Sequence, residues 1–387
     1  MPDRSGGTAD ARETPTVGTT ASCGAPPKSD RPSTADTHAR QSTPPNHALK
    51  SRRGGGDWFQ LPDLASRQVG GSVVAANDEF FAERENLIKD EAPVYRTHTF
   101  NNKGQVYDGW ETRRRRDGSP GPDWALIRLG IAGIPAGIVV DTAYFIGNYP
   151  PHVSVEGASV PGQPSVDQLL TADWHTLVPV SPVEGDTRNL FEVSSERRIT
   201  HVRVNMHPDG GIARVRVHGT AVPDPQWIDD IPFDLAALGN GGHAVACSDG
   251  FFSPPNNMLQ PGVSRFMADG WETRRRRDSG NDWATVALAS EAVPSVLELD
   301  TTHYKGNSPA RVSLDGFTAA GEQVTLLEPT SLQPDARHRF RLSGDRPVHQ
   351  VRLNVLPDGG IARLRLFGRI TPAGREGLER RFATTAE

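Results

Sequence analysis

Two runs of four arginines, Arg113 to Arg116 and Arg274 to Arg277, are the densest concentration of chemistry-bearing side chains in the sequence. A guanidinium presents a planar fork of N–H donors that matches a carboxylate through two parallel hydrogen bonds. On an extended segment alternate side chains share a face. Arg113 with Arg115, and Arg274 with Arg276, are therefore the favoured clamps for a small anion. The opposite parity stays open, as does a solvated charged strand balanced by the neighbouring aspartates. Trp110 and Trp271 precede the runs and suit stacking on a flat polar group, with core packing as the alternative. Glu111 and Glu272 are acceptors for N–H groups or partners for a nearby arginine. Asp141 and Asp300 close apolar segments and are candidates for acid–base work or N–H binding; loop-holding bonds are the competing use. Asn148 and Asn307 fit ligand contact or turn support, and Arg214 and Arg363 fit anion binding or a solvated strand face. His303 and Lys305 have no counterpart in the earlier half of the chain. An imidazolium at His303 is suited to protonating a leaving group, against the simpler reading of a loop histidine. No His-x-His, His-Glu-x-x-His or paired-cysteine motif occurs; a single divalent ion held by carboxylates stays open without a ligand motif behind it, and no other cofactor is expected.

These candidates come in pairs because the chain is doubled. The nine residues from Asp108 to Arg116 recur letter for letter from Asp269 to Arg277. Val74 to Phe81 parallels Val245 to Phe252, Val140 to Asn148 parallels Leu299 to Asn307, and Val202 to Arg214 parallels Val351 to Arg363. A repeat of this length is one domain present twice. The matched segments read as strands. Val202, Val204 and Met206 alternate with Arg203, Asn205 and His207, and after Pro208-Asp-Gly-Gly211 the residues Val215 and Val217 alternate with Arg214 and Arg216. That pattern predicts a hairpin with an apolar inner and a polar outer face. Helical periodicity is scarce, with one short helix expected within Asp78 to Leu87. The expected organisation is a disordered extension over 1–56, β-sandwich repeats over 57–222 and 239–371, a linker over 223–238 and a tail over 372–387.

High glycine (39) and proline (32) suit short strands and tight turns. The extension has almost no large apolar residue before Leu49, too little to offset its ordering entropy. A net charge of −5 provides no global basic field for nucleic acid. No apolar run long enough to span a bilayer and no secretory h-region is present. With only Cys23 and Cys247, a structural disulfide is not expected, and a cytoplasmic setting is.

The Gly-Trp-Glu-Thr-Arg-Arg-Arg segments, the Asp-Thr-x-x-x-x-Gly-Asn segments and the Asn-x-x-Pro-Asp-Gly-Gly-Ile-Ala-Arg segments, each present twice and in the same order, resemble those of the allantoicase family. The resemblance covers about residues 57 to 371. It implies two tandem jelly-roll domains of the galactose-binding-like type, an all-β fold, and hydrolysis of allantoate to ureidoglycolate and urea in purine-nitrogen salvage. The implied partner is a small-molecule substrate, with a homo-oligomer compatible. Such a substrate needs a cationic clamp for its carboxylate, acceptors for its ureido N–H groups and a proton donor for departing urea. The competing reading is a tandem jelly-roll module that binds carbohydrate or another small ligand without catalysis.

Overall fold

The computed structural model describes residues 50–51, 56–116, 118, 120–228 and 231–385. Most of the extension expected to be disordered, Cys23 included, lies outside these residues. Within it, Lys50–Ser51 pair in parallel with Thr187–Glu192.

Each repeat is organised by one strand of 19 residues, Asp123–Asp141 in the first and Asp282–Asp300 in the second. A strand of this length serves both layers of a sandwich. The first half of Asp123–Asp141 pairs with Ile199–His207 and Ser72–Ala76; the second half pairs with Arg214–Ala221 and Thr187–Glu192. The second repeat reproduces this with Val348–Leu356 and His243–Cys247, then Arg363–Ile370 and Arg337–Arg341. The register slips beside Pro135 and beside Pro294, where proline's missing donor is tolerated at a bulge. Gly137 lets the strand pass under Trp58, since a Cβ there would sit 2.2 Å from the indole ring.

The predicted strands are present, but the predicted hairpin is not. Ile199–His207 and Arg214–Ala221 pair with opposite halves of the long strand instead of with each other. Between them Gly211–Ile212 pairs with Trp110–Glu111, so the Pro-Asp-Gly-Gly segment is a crossover between layers. Gly211 and Gly360 lie directly beneath the rings of Phe145 and Tyr304, where an added Cβ would come within 2.1 and 2.0 Å. The expected inner face holds: Val202, Val204, Met206, Val215 and Val217 are fully buried. The short helix is a 3-10 turn at Arg84–Ile88.

Two expected boundaries shift. Phe233–Asp234, placed in the linker, pair with Arg363–Ile370, and Leu235 and Ala236 are buried, so the second repeat begins earlier. The expected C-terminal tail carries the helix Pro372–Thr385. It docks on the second repeat, with the Ser290 hydroxyl donating to Gly374 O at 2.7 Å, and reaches the first, with Arg198 N–H donating to Thr385 O at 2.8 Å. No described helix is long and apolar enough to cross a membrane.

Trp110 and Trp271 have no exposed surface, and each indole N–H donates to a loop carbonyl, Asp78 O at 2.8 Å and Asp249 O at 2.9 Å. These rings anchor the conserved-sequence loops to the core and are closed to any ligand, which corrects the stacking role expected of them. Trp271→Ala should cost about 3–5 kcal/mol. Urea denaturation checks this, and a cost below about 1 kcal/mol would show that the ring is not a packing anchor.

Candidate active site

The arginine runs do not form a strand. Pairing stops at Trp110–Glu111 and Trp271–Glu272, and the arginines follow as irregular chain. Arg113 and Arg274 are 65% exposed and each pairs with an aspartate of the preceding loop, Asp78 at 3.2 Å and Asp249 at 2.7 Å. Each also lies over a phenylalanine ring, Phe80 and Phe251. Arg115 turns to Asp123 at 2.9 Å and Arg276 to Asp282 at 2.6 Å, at the starts of the long strands. The clamp expected of Arg113, Arg115, Arg274 and Arg276 is thus replaced by four ion pairs that hold loops, because aspartates within the same fold end reach these guanidiniums first.

Arg214 and Arg363 are also committed. Arg214 is 1% exposed; it pairs with Asp108 at 2.8 Å and donates to the carbonyls of Glu91, Asp108 and Ala213. Arg363 repeats this with Asp269 at 2.9 Å and the carbonyls of Gly262 and Ala362. Glu111 accepts from Asn148 at 2.8 Å, and Glu272 accepts from Asn307 at 2.6 Å, one polar tie in each repeat. Burial pushes the Glu111 carboxyl up, against the opposing pull of Asn148 and Arg114. The His303 ring contacts Ser264 O at 3.0 Å, its backbone N–H donates to Asp335, and Lys305 is 77% exposed beside the same Asp335. Tyr144 occupies the His303 position in the first repeat and makes the same backbone bond to Asp186, so this loop geometry needs no histidine. Asp300 accepts from Thr302 N–H and hydroxyl and faces Arg337 at 4.0 Å.

Of the expected catalytic residues, Asp141 lines a cavity in which several polar atoms have no hydrogen-bond partner among the described residues. The cavity measures about 400 Å³ and sits on the outer face of the first repeat, roofed partly by the second. Its floor is built by period-two alternation. Arg214, Arg216 and His218 project from one strand and Val139 and Asp141 from the next, with Arg188 from the strand beyond. Asp63, Ser66, Gln68 and Asp90 form one wall, and Asn257 and Gln260 of the second repeat form another. Three buried polar atoms without a hydrogen-bond partner among the described residues belong to this lining: Asp63 Oδ2, Arg216 Nη1 and Gln260 Oε1. Leaving such groups unmatched is costly, and a water or ligand held in the cavity relieves that cost.

The electrostatics favour an anion that also donates N–H bonds. Register sets Asp141 between Arg214 on one neighbouring strand and Arg188 on the other, with Arg188 Nε 3.5 Å from Asp141 Oδ2. Burial nevertheless pushes the Asp141 carboxyl up; the Ala143 N–H and Arg188, Arg216 and Arg214 oppose it without prevailing. His218 Nδ1 lies 2.9 Å from Leu61 O; a carbonyl only accepts, so Nδ1 carries the hydrogen and Nε2 of the neutral ring is an acceptor.

The corresponding surface of the second repeat keeps the Arg216–Asp63 pair as Arg365–Asp234, at 3.5 Å against 3.6 Å, and the Nη2 bonds to loop carbonyls, but it also matches Nη1. Arg365, the counterpart of Arg216, places Nη1 against Leu364 O at 3.0 Å and Nη2 against Gly262 O at 3.1 Å and Gln260 O. Glu298 replaces Val139 and takes both Arg337 and Arg339, at 3.6 and 2.6 Å. Phe367 replaces His218. Among the described residues no group of three or more His, Cys, Asp or Glu side chains is placed to hold a metal ion.

Sequence reasoning missed Asp63, Asp90, Arg188, Arg216, His218 and Gln260. A signal existed for three of them: Arg216 and His218 continue the polar alternation from Arg214. A fifth repeated segment, Asp63-Leu-Ala against Asp234-Leu-Ala, marked Asp63.

The repeats are locked at this cavity by Gln68 donating to Asp269 at 2.9 Å and by Arg265 reaching Glu91 at 3.0 Å and Asp269 at 3.3 Å. Burial would raise the Asp269 carboxyl, but the bonds from Arg265, Gln68 and Arg363 outweigh it and hold it at about 2. A depressed carboxylate contributes stability that is present above its ordinary value of 3.8 and lost as pH falls toward about 2. Asp269→Asn should therefore lower the melting temperature at neutral pH and flatten its acid decline over that window. Calorimetric melting curves check this, and an unchanged acid branch would remove Asp269 from the lock.

The family description "Allantoicase repeat" matches residues 62–222 and 233–371. The chain is 53% identical over 315 residues to a probable allantoicase of Nocardia farcinica, covering 81% of this chain and 95% of that protein. It is 41% identical to the allantoicase of Dictyostelium discoideum, covering 79% and 86% respectively. The crystal structure of allantoicase from Saccharomyces cerevisiae superposes with a TM-score of 0.69 at 35% identity, covering 80% of this chain and 93% of that one.

Proposed function

The chain belongs to the allantoicase family, and from that premise we propose that the cavity between the repeats is where it hydrolyses allantoate to ureidoglycolate and urea. The observation that carries this reading is the unpartnered Nη1 of Arg216 on a cavity floor shared with Asp141. Allantoate carries a carboxylate on a carbon that bears two ureido groups. Arg216 and the half-exposed Arg188 supply donors for that carboxylate. Asp63 Oδ2 and His218 Nε2 are acceptors for ureido N–H groups.

Asp141 suits the proton transfers. Its carboxyl is held up by burial, and a bound substrate carboxylate adds a like charge that raises it further. It donates its proton to the nitrogen of the departing urea as the carbon–nitrogen bond breaks, and the lone pair of the retained ureido nitrogen stabilises the cationic carbon. Water then adds to that carbon and returns a proton to Asp141, so the residue ends as it began. Arg188, 3.5 Å away, stabilises the carboxylate between the two transfers. The second repeat supplies a wall and a lock instead of a second copy of this chemistry.

Asp141→Asn should lower kcat by about 10²–10⁴. An acid that must be protonated loses activity as pH rises through its raised pKa, so the alkaline limb of the native kcat profile should report Asp141 and vanish in the variant. Urea-release assays across pH check this, and a native-like profile in Asp141→Asn would end the assignment. Arg216→Gln should cost at least about tenfold in kcat/KM. Arg113→Ala and Arg274→Ala, which remove exposed loop pairs, should each stay within about threefold of the native kcat/KM. A large loss in either would return the site to the arginine runs.

A further inference from the structure

We propose that Gln260, delivered by the second repeat, reads a ureido group of the substrate bound on the first. The inference rests on the placement of the reaction in the inter-repeat cavity and names a specificity residue within it. Gln260 Oε1 is buried and has no hydrogen-bond partner among the described residues. Its backbone is fixed. Met258 and Leu259 just before it are fully buried, Arg365 Nη2 holds its carbonyl, and Asn256 donates to Gln60 O of the first repeat at 2.9 Å. Gln260 lines the cavity on this fixed backbone, and its amide oxygen, unmatched by the described residues, is an acceptor for an N–H donor brought by a ligand.

The chemistry of the remaining lining says which donor. Arg188 and Arg216 present cationic N–H groups suited to a carboxylate, and a second carboxylate would find no donor in the amide oxygen. A neutral amide oxygen accepts from a neutral N–H without adding a charge to a cavity that already holds Asp63, Asp90 and Asp141. A ureido group offers N–H donors of that kind. The duplication strengthens the assignment. The position matching Gln260 in the first repeat is Lys89, an ammonium with no acceptor, which pairs with Asp108 at 3.6 Å. The two copies thus differ at a position that, in the second repeat, lines the cavity on the first.

The test uses the full chain with Gln260→Met, which keeps size and removes the acceptor, beside Arg216→Gln. Each is measured for KM and kcat on allantoate, for inhibition by glyoxylate (a carboxylate without ureido groups) and for melting temperature. Gln260→Met should raise KM about tenfold with kcat within about threefold, leave the glyoxylate inhibition constant unchanged and not lower the melting temperature, because it deletes an unmatched buried polar atom. Arg216→Gln should weaken both allantoate and glyoxylate. An unchanged KM in Gln260→Met beside an impaired Arg216→Gln overturns the role of Gln260 alone. Native constants in Arg216→Gln overturn the cavity placement and this inference with it. A Gln260→Met protein that melts lower or fails to fold assigns the residue to structure and also overturns the proposal.

Discussion

A buried guanidinium must place its N–H groups on acceptors or forfeit several kcal/mol of solvation. Arg214 and Arg363 impose that constraint once in each repeat. Neither can be satisfied by its own sheet, so each draws a loop onto the sheet's outer face: the Asp108 and Glu91 segments in one case, the Asp269 and Gly262 segments in the other. Those loops precede the Trp-Glu-Thr motif, whose indole is sealed in the core. The duplicated sequence motifs are the covalent record of this loop-on-sheet arrangement. The charged network is a scaffold that positions the cavity, and Arg214 forms part of its floor.

On that common scaffold the repeats have diverged at a few side chains with large electrostatic consequences. Arg216 and Arg365 occupy the same strand position, yet one Nη1 is unmatched and the other is met by backbone carbonyls. Val139 leaves Arg188 to face Asp141 and the cavity; Glu298 draws Arg337, the counterpart of Arg188, and Arg339 to itself. An unmatched donor on a cavity floor is expensive to keep and useful to a ligand, whereas a neutralised one is stable and inert. The asymmetry gives the first repeat the polar floor and leaves the second as lock and wall, tied by Gln68–Asp269 and Arg265–Glu91.

The sequence by itself determined the doubling, the all-β class and the inward-facing residues, because period-two alternation and literal repetition are properties of the chain that folding must respect. Val202, Val204, Met206, Val215 and Val217 were legible for that reason. So was the place of Asp141 at the end of an apolar strand. Partner choice was decided only by the tertiary structure. Arg113 and Arg216 look alike in sequence, and both meet an aspartate, Asp78 and Asp63; only the closing of the loops decided that one nitrogen of Arg216, Nη1, was left without a partner among the described residues. The same holds for the crossover at Pro208 to Gly211, where pairing with Trp110–Glu111 displaced the hairpin, and for Gln260, whose neighbours in the cavity belong mostly to the other repeat. Alternation fixes the face on which a side chain stands, but which charges meet across that face depends on how loops and repeats close over it.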